Sequence, residues 1–490
     1  MRFILCYAGS TVRRTSALLI VWTLLALLFG RSACAQRMVF AHYMVTNQDY
    51  QGDDGDQERK IAAYEKEIRQ AQAIGIDGFV LNVGGWLKET YYIRYTAQIF
   101  EAAVRLQTGF KLMFSADMCC GNAAEDVEDM MRRFAGNPRY ATVYFRHDGR
   151  FVLTTFAGEK LGTSFWKQIR ADLASGNHPS IAVEASVLSP ASEAPANLPM
   201  QIFLVPAFFW GGEVPVREDI QRGFDEWQSV IDGSFYWGIA GVPGSSGALD
   251  TVRSSESYAS VVHGGGKLYM APVCFQFWGA NADRYYEYSG ASGFRKLWMD
   301  AIERSQPEWV EIITWNDFIE GSYVSPIDDP NKYPRANFLN TTGVPSDTLH
   351  YFHTHSAVDP LVAYFIAWYK TGIAPRIQKD AVYYFYRSQS MSFDAGTPPV
   401  HRRYGPVADV IYITANLTAP AILHLKCGHH TIAFRLPAGS SDVQAPFTPG
   451  YQPEFTLSRR GHIVFHTVGE TLIEKTPHYN DYYYVTGEAP

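Results

Sequence analysis

Cysteine and positive charge are both scarce in this chain of 490 residues. No CxxC pair and no Cys/His spacing typical of a zinc site occurs. A disulfide between the adjacent Cys119 and Cys120 would be strained, so free buried thiols are as good an interpretation as disulfides. The net charge of −7, with no basic stripe or tail, argues against nucleic-acid binding. The six cysteines are Cys6, Cys34, Cys119, Cys120, Cys274 and Cys427.

The signatures of several enzyme classes are also missing. No G-x-G-x-x-G follows the first predicted strand, which disfavours a dinucleotide-binding fold. There is no P-loop, no G-x-S-x-G elbow and no H-E-x-x-H motif. The acidic run Asp53–Asp56 lacks the ligand series of an EF-hand, so a solvated loop is the better interpretation. We therefore expect no cofactor and no bound metal.

A long apolar stretch near the N-terminus has the organisation of an export signal. Arg13 and Arg14 precede the run SALLIVWTLLALLFG, and Ala33–Ala35 has the small residues of an A-x-A cleavage site. We expect residues 1–35 to be removed before Gln36. The mature protein would then be secreted or periplasmic, with no stable membrane association. An uncleaved anchor is the alternative, but the run is short for a membrane span.

Strand–helix alternation fills most of the remaining chain. Eight short apolar runs begin with Met38–Val45 and end with EWVEIITWND, Glu308–Asp317, and helical patterns separate them. Nearly continuous apolar strands that alternate with helices indicate a parallel sheet covered by helices. Eight such units over roughly 280 residues predict an α/β fold, a closed (β/α)8 TIM barrel. A doubly wound open sheet is the structural alternative.

The pattern changes after the eighth run. DPLVAYFIAWYKTG, Asp359–Gly372, predicts one amphipathic helix. The short β-like runs that follow it are separated by turn residues, which indicates a small C-terminal antiparallel β-sandwich. We therefore divide the chain into a catalytic barrel over 36–350, a connecting helical segment over 351–379 and a sandwich over 380–490.

Polar and aromatic side chains end most of the predicted barrel strands. The chemistry of a parallel barrel lies at the carboxyl ends of its strands, and the aromatic content of 14% offers rings on which sugars stack. Simpler interpretations exist: His42 as a core histidine, Asp117 as a helix N-cap and each tryptophan as a core residue. Convergence on one mouth favours substrate binding. The residues we expect to bind substrate are His42, Asn82, Asp117, Trp210, Trp237, Gln276, Trp278, Trp315 and Asn316.

Asp317 and Glu320 are the strongest catalytic candidates. Hydrolysis of an acetal needs one carboxylic acid to protonate the leaving oxygen and a second carboxylate to activate water or attack the anomeric carbon. WNDFIEG places two acids three residues apart after a buried strand, beside Trp315, and an aromatic wall raises the pKa of an acid by desolvation. We assign Glu320 as general acid and Asp317 as general base. A solvated loop with a salt bridge is the simpler alternative.

In their order along the chain, these motifs resemble glycoside hydrolase family 71, the α-1,3-glucanases also called mutanases. The resemblance rests on VFAHYMV, GIDGFVLNVG, KLMFSAD, YMAPVCFQFWG and EWVEIITWNDFIEGSY, and it extends to YYFYRS and the β-rich region after it. It implies a barrel with an appended β-sandwich, an α-1,3-glucan polysaccharide as substrate, hydrolysis with inversion, and Asp317 and Glu320 as the acid pair.

Two departures from the family pattern bear on substrate identity. GSY follows the acid pair, and the seventh strand reads FQFWG rather than a run with Ser-Pro-Trp. A related barrel family that acts on α-mannosides carries a similar W-N-E-W ending, so an α-mannan is the alternative substrate. A non-catalytic glycan-binding protein is the alternative from another functional class.

Overall fold

The computed structural model describes residues 37–46, 56–176, 198–241, 250–279, 284–327, 353, 355, 357–396, 408–478, 480–482 and 484–489. The expected export signal, with Cys6 and Cys34, lies outside these ranges. Within them, no helix has the length and apolar character needed to cross a membrane.

Eight parallel strands form a closed barrel. Each strand pairs with the next one along the chain, and the first pairs with the last. The TIM barrel expected from the eight apolar runs is therefore confirmed, and the open sheet is excluded. The strands are β1 Met38–Met44, β2 Gly78–Val83, β3 Lys111–Asp117, β4 Arg150–Phe156, β5 Ile202–Phe208, β6 Gly233–Tyr236, β7 Leu268–Val273 and β8 Trp309–Ile312.

Helices cover the outside of the barrel. The Asp56 side chain caps α1 by accepting a hydrogen bond from the Arg59 amide at 3.0 Å. Gly372, with a φ of 72°, ends the predicted helix α8 in the left-handed conformation. The helix that contains Tyr258 has 14 residues. The helices are α1 Gln57–Ala73, α2 Tyr91–Leu106, α3 Ala124–Met130, α4 Gly162–Ser175, α5 Arg217–Trp227, α6 Thr251–Gly264, α7 Ala291–Met299 and α8 Asp359–Thr371.

The C-terminal region forms two four-stranded antiparallel sheets, with strand orders β13-β10-β9-β16 and β12-β11-β14-β15. Side chains of both sheets form one core, in which Tyr384 stacks on Phe455 with ring centroids 4.6 Å apart. The predicted β-sandwich is thus confirmed. Its strands are β9 Ala381–Arg387, β10 Val410–Leu417, β11 Ala421–Cys427, β12 His430–Leu436, β13 Gly439–Pro446, β14 Glu454–Arg459, β15 His462–Val468 and β16 Tyr484–Ala489.

Strand β9 joins the sandwich to the barrel because both of its faces are buried. Val382 and Tyr384 belong to the core of the sandwich, whereas Tyr383 and Phe385 belong to the core of the barrel. Successive side chains of a strand point to opposite faces, so one strand serves two cores. Barrel and sandwich accordingly belong to one compact unit, Met38–Pro490.

Candidate active site

The segment after β8 forms a loop fixed by its own hydrogen bonds. The chain leaves the strand through a cis peptide bond between Ile313 and Thr314. The Thr314 hydroxyl accepts a hydrogen bond from the Asp317 amide at 2.9 Å. Thr314 also donates its amide to the Ser322 carbonyl and accepts from the Val324 amide, at 2.9 and 3.0 Å. Residues 314–324 are therefore held together as one unit, which we call the β8 loop.

Asp317 is the more buried acid of the predicted pair. Its side chain accepts a hydrogen bond from the Glu320 amide at 3.2 Å, and the residue is 8% exposed. Burial raises the pKa of the Asp317 carboxyl to about 6, although the Glu320 amide and the positive charge of His42 act in the opposite direction. A carboxyl with this pKa is ionised at neutral pH and is a stronger base than an ordinary aspartate.

Glu320 lies on the same turn of the β8 loop and is half-buried. Its carbonyl accepts a hydrogen bond from the Trp278 amide at 2.8 Å. Burial, with a smaller contribution from the Glu320 charge, raises the pKa of the Cys274 thiol just after β7 to about 12. Glu320 thus lies within electrostatic range of the end of β7, and Asp317 within range of β1. The two acids share one loop at the carboxyl end of the barrel.

A buried histidine–carboxylate contact lies inside the barrel. His42 Nδ1 is 2.7 Å from Glu311 Oε1, and each side chain is 1% exposed. Burial raises the pKa of Glu311, and the hydrogen bond and charge of His42 oppose the increase. Glu311 is not among the site residues predicted from the sequence, although a single acid within the apolar strand WVEI is a signal that could have identified it.

A row of aromatic rings leads from the rim of the barrel to His42. Phe209 packs on Phe156 and Phe156 on Trp237, each with 5.1 Å between ring centroids, and Trp237 packs on His42 at 4.6 Å. Phe156 and Phe209 are half-buried, and Trp237 is buried. Asn82 is also buried and shares the face of His42 through the register of β2 with β1. The predicted residues Trp237, His42 and Asn82 therefore lie on the inner wall of the barrel. Phe156 and Phe209, which were not predicted from the sequence, lie on the same wall.

Two of the predicted tryptophans pack between the barrel and its helices. Trp315 donates its indole N–H to Glu67 of α1 at 3.1 Å. Trp210 stacks on Phe208 and Tyr258, with ring centroids 4.1 and 5.9 Å away. Tyr258 belongs to α6. The structure therefore places both indoles against covering helices and not beside the acid pair.

The side chains of Asp117 and Asn316 form hydrogen bonds with backbone groups. Asp117 accepts hydrogen bonds from the amides of Cys119 and Cys120 at 2.9 and 3.2 Å, so it caps the short turn after β3. The Asn316 amide group bonds to both the N–H and the carbonyl of Met44, at 2.7 and 3.1 Å. It extends the pairing of β1 with the chain after β8. These contacts match the simpler interpretation of Asp117 as a cap.

Gln276 and Trp278 support the β8 loop from the side of the sandwich. The Gln276 side chain donates to the Gly321 carbonyl and accepts from the Tyr484 amide at 2.8 Å. The Trp278 ring packs on Tyr482, with centroids 5.2 Å apart. These two predicted binding residues connect the β8 loop to the last strand of the chain and to Tyr482 just before it.

The four cysteines of the described chain are all free. Cys119 and Cys120 are exposed, whereas Cys274 and Cys427 are buried. Buried free thiols were one of the two interpretations of the sequence, and the burial is wrong for Cys119 and Cys120. In the described ranges, no group of three or more His, Cys, Asp or Glu side chains has an arrangement that could hold a metal ion.

A cavity of about 760 Å³ opens at the other end of the barrel. Arg150 and Asp232 lie in its wall and pair at 2.6 Å, and His263 and Glu308 pair there at 3.2 Å. The chemistry of parallel barrels belongs to the carboxyl ends of the strands, and the opposite end contributes stability. We therefore assign the active site to the mouth around the β8 loop.

Known proteins resemble this chain over nearly its whole length. The family model for Glycosyl hydrolase family 71 matches residues 35–490. The glucan endo-1,3-alpha-glucosidase agn1 of Schizosaccharomyces pombe is 26% identical over 457 residues, which cover 91% of this chain and 93% of that protein. A mutanase of Penicillium rubens is 24% identical over 463 residues, which cover 93% of this chain and 89% of the mutanase.

Among solved structures, the GH99 endo-alpha-mannosidase of Bacteroides thetaiotaomicron aligns with a TM-score of 0.46 at 12% identity. The alignment covers 69% of this chain and 98% of the mannosidase.

Proposed function

Because the chain belongs to glycosyl hydrolase family 71, we propose that it is an endo-1,3-α-glucosidase that hydrolyses α-1,3-glucan with inversion. The printed names of the relatives, an endo-1,3-alpha-glucosidase and a mutanase, support this substrate. The observation that carries the mechanism is the Asp317 carboxyl, which is buried, has a raised pKa and shares a turn of the β8 loop with Glu320.

In this mechanism Asp317 is the general base and Glu320 the general acid. Asp317 accepts a proton from a water molecule whose oxygen bonds to the anomeric carbon. The bond from that carbon to the leaving oxygen breaks, and Glu320 protonates the leaving oxygen. Attack from the face opposite the leaving group converts an α-linkage into a product with the β-configuration.

The aromatic row supplies the wall of the sugar-binding cleft. Sugar rings present apolar C–H faces that pack on aromatic rings, and the half-buried Phe156 and Phe209 offer such surface at the rim. Trp237 continues the wall towards His42. A glucan chain bound along this row would place a glycosidic bond near the β8 loop.

Substitution of each acid by its amide tests the catalytic pair. We expect Asp317→Asn and Glu320→Gln to release reducing ends from α-1,3-glucan roughly 10²–10⁴-fold more slowly than the unmodified protein. Asp300→Asn is a matched control, because Asp300 is another buried aspartate whose pKa burial raises to about 6, and it lies beyond α7. Full activity in both test variants would refute the assignment.

The roles of the two acids can be separated with α-glucosyl fluoride. Fluoride leaves without protonation, so Glu320→Gln should recover much of its lost rate on this substrate, whereas Asp317→Asn should not. Recovery by Asp317→Asn alone would reverse the roles. NMR of the first product should show the β-anomer, and an α-anomer would contradict inversion. Release of sugar from α-mannan but not from α-1,3-glucan would overturn the proposed substrate.

We also infer that the protein acts outside the membrane that bounds the cytoplasm. A polysaccharide substrate and the signal-like residues 1–35 support export, as does the printed name of another relative, an ascus wall endo-1,3-alpha-glucanase of Schizosaccharomyces pombe, 23% identical over 392 residues that cover 78% of this chain and 79% of that protein. The N-terminal sequence of the exported protein should begin at Gln36. Recovery only of full-length chain from cell membranes would contradict export.

A further inference from the structure

We propose that His42 and Glu311 are positioning residues that keep Asp317 ionised, and that His42 is not a sugar ligand. The inference rests on the proposed role of Asp317 as general base. This role would account for the buried contact between His42 and Glu311, which substrate binding does not explain.

The contact with Glu311 fixes the orientation of the His42 imidazole. His42 Nδ1 lies 2.7 Å from Glu311 Oε1, and both side chains are 1% exposed. Glu311 is in register with Phe40 of β1 and Pro272 of β7, so it lies deeper in the barrel than the β8 loop. A histidine whose Nδ1 bonds to a carboxylate has its ring orientation and proton position set by that partner.

The β8 loop is attached to the same point of β1. The Trp315 amide donates to the His42 carbonyl at 2.7 Å, two residues before Asp317. The second ring nitrogen of His42, Nε2, has no hydrogen-bond partner among the residues that the structure describes. The positive charge of His42 acts on Asp317, and within the described chain no other side-chain charge is found to lower the pKa of this carboxyl.

Charge balance favours a protonated His42. Glu311 contacts the imidazole directly, and the loop that carries Asp317 is bonded to the backbone of His42. A buried carboxylate without a counter-charge is costly, and an imidazolium at this position would offset the charges of both acids. Glu311 therefore acts through His42: its negative charge stabilises the imidazolium, and the imidazolium stabilises the carboxylate of Asp317.

The other groups around the mouth do not replace this cation. From the β8 loop, Glu320 contributes a carboxyl group and not a cation. From β3, the Asp117 carboxylate is turned towards the amides of Cys119 and Cys120. The neighbouring strands β2 and β7 contribute uncharged side chains at the levels of His42 and Glu311, and Trp237 after β6 contributes an uncharged ring.

The pH profile of kcat/KM tests the proposal, with His42→Gln and Glu311→Gln as variants. A general base is active when ionised, so the acid limb of the profile reports the pKa of Asp317. Loss of the imidazolium should move this limb to higher pH by roughly 1–3 units. KM above the limb should change less than about twofold, because neither side chain contacts sugar. Glu311→Gln keeps the shape of the side chain and an acceptor for Nδ1, so it serves if His42→Gln does not fold.

His263 and Glu308 provide a matched control pair. They form a His–carboxylate contact of 3.2 Å at the opposite end of the barrel, so His263→Gln and Glu308→Gln should leave the limb in place. A raised KM with an unchanged limb in His42→Gln would make His42 a sugar ligand and overturn the proposal. A limb unchanged in both test variants would also overturn it.

The charge of His42 can be measured directly in the unmodified protein. Nitrogen-15 NMR of labelled histidine, assigned through His42→Gln or through Glu311→Gln, should show a protonated ring at the pH of the acid limb. A neutral His42 at that pH would contradict the proposal even if the activity profiles shifted. An active Asp317→Asn would instead refute the proposed function, so the two failures are distinguishable.

Discussion

The proposed catalytic role of Asp317 has a consequence for the stability of the fold. Burial raises the pKa of its carboxyl from the ordinary 3.8 to about 6, so the folded state favours the protonated form. The stability from this preference is complete below pH 3.8, and it is lost as the pH rises through 6. Ionisation of Asp317 at neutral pH therefore costs the fold part of its stability.

Asp317→Asn should be less active but more stable at neutral pH. Asparagine cannot ionise, so we expect its free energy of unfolding at pH 7.5 to exceed that of the unmodified protein by about 1–3 kcal/mol. The difference should shrink towards zero near pH 4. Urea unfolding at both pH values measures it. A variant that is less stable at pH 7.5 would mean that the hydrogen bond from the Glu320 amide outweighs the cost of burial.

At the scale of elements, the β8 loop depends on Gln276. The Gln276 side chain bonds to the Gly321 carbonyl of the loop and to the Tyr484 amide of β16. Gln276→Ala leaves both backbone groups without this partner. We expect kcat to fall roughly 10–100-fold, because small displacements of catalytic groups are costly. The free energy of unfolding should also fall by about 1–3 kcal/mol, because buried backbone groups lose a hydrogen-bond partner.

A second glutamine offers the control for this prediction. Exposed Gln452 donates to the Gly469 carbonyl at 3.2 Å within the sandwich, far along the chain from the β8 loop. Gln452→Ala should retain full kcat. Equal losses of activity in the two variants would show that Gln276 acts only through general stability.

The aromatic rim is a separate element of the site. Phe156→Leu keeps apolar volume but removes the ring face, so we expect KM for α-1,3-gluco-oligosaccharides to rise roughly two- to tenfold, equivalent to about 0.5–1.5 kcal/mol of stacking. The control is Phe165→Leu, a half-buried ring on α4 that packs on Trp166. An unchanged KM in Phe156→Leu would remove this ring from the binding wall.

Repeated hydrophobic patterns in the sequence predicted the strands and helices, whereas the contacts of single side chains could not be predicted. Eight apolar runs identify barrel strands because a strand buried on both faces is apolar along most of its length. Beyond the last paired residue the alternation of faces ends, so sequence could not show that Trp315 turns to Glu67 or that Asn316 bonds to Met44. The pairing of Glu311 with a residue 269 positions away depends on which strands close the barrel.

At the scale of the whole molecule, barrel and sandwich share a buried charge network. Glu287, before α7, accepts hydrogen bonds from Tyr484 and Tyr285 at 2.6 and 2.9 Å. Arg387 of β9 lies 3.2 Å from the same carboxylate, and both charged side chains are 1% exposed. The network joins the barrel and the sandwich, between which the sequence predicts a domain boundary at residue 380. That boundary stays a prediction.

Loss of Arg387 should destabilise the molecule in a pH-dependent way. Arg387→Met leaves Glu287 buried without its cation, at a cost of roughly 3–5 kcal/mol when the carboxylate is charged. Burial raises the pKa of Glu287 to about 7, so the group is mostly neutral at pH 5 and the cost should be smaller there than at pH 8. Urea unfolding at the two pH values measures the difference.

Two further variants isolate the charge of Glu287 as the cause. Glu287→Gln combined with Arg387→Met should recover part of the stability at pH 8, because no buried charge then remains at this site. Lys426→Met breaks the exposed pair with Glu454 and should cost no more than about 1 kcal/mol at either pH. If Arg387→Met loses equal stability at pH 5 and pH 8, packing and not charge holds the sandwich to the barrel at this point.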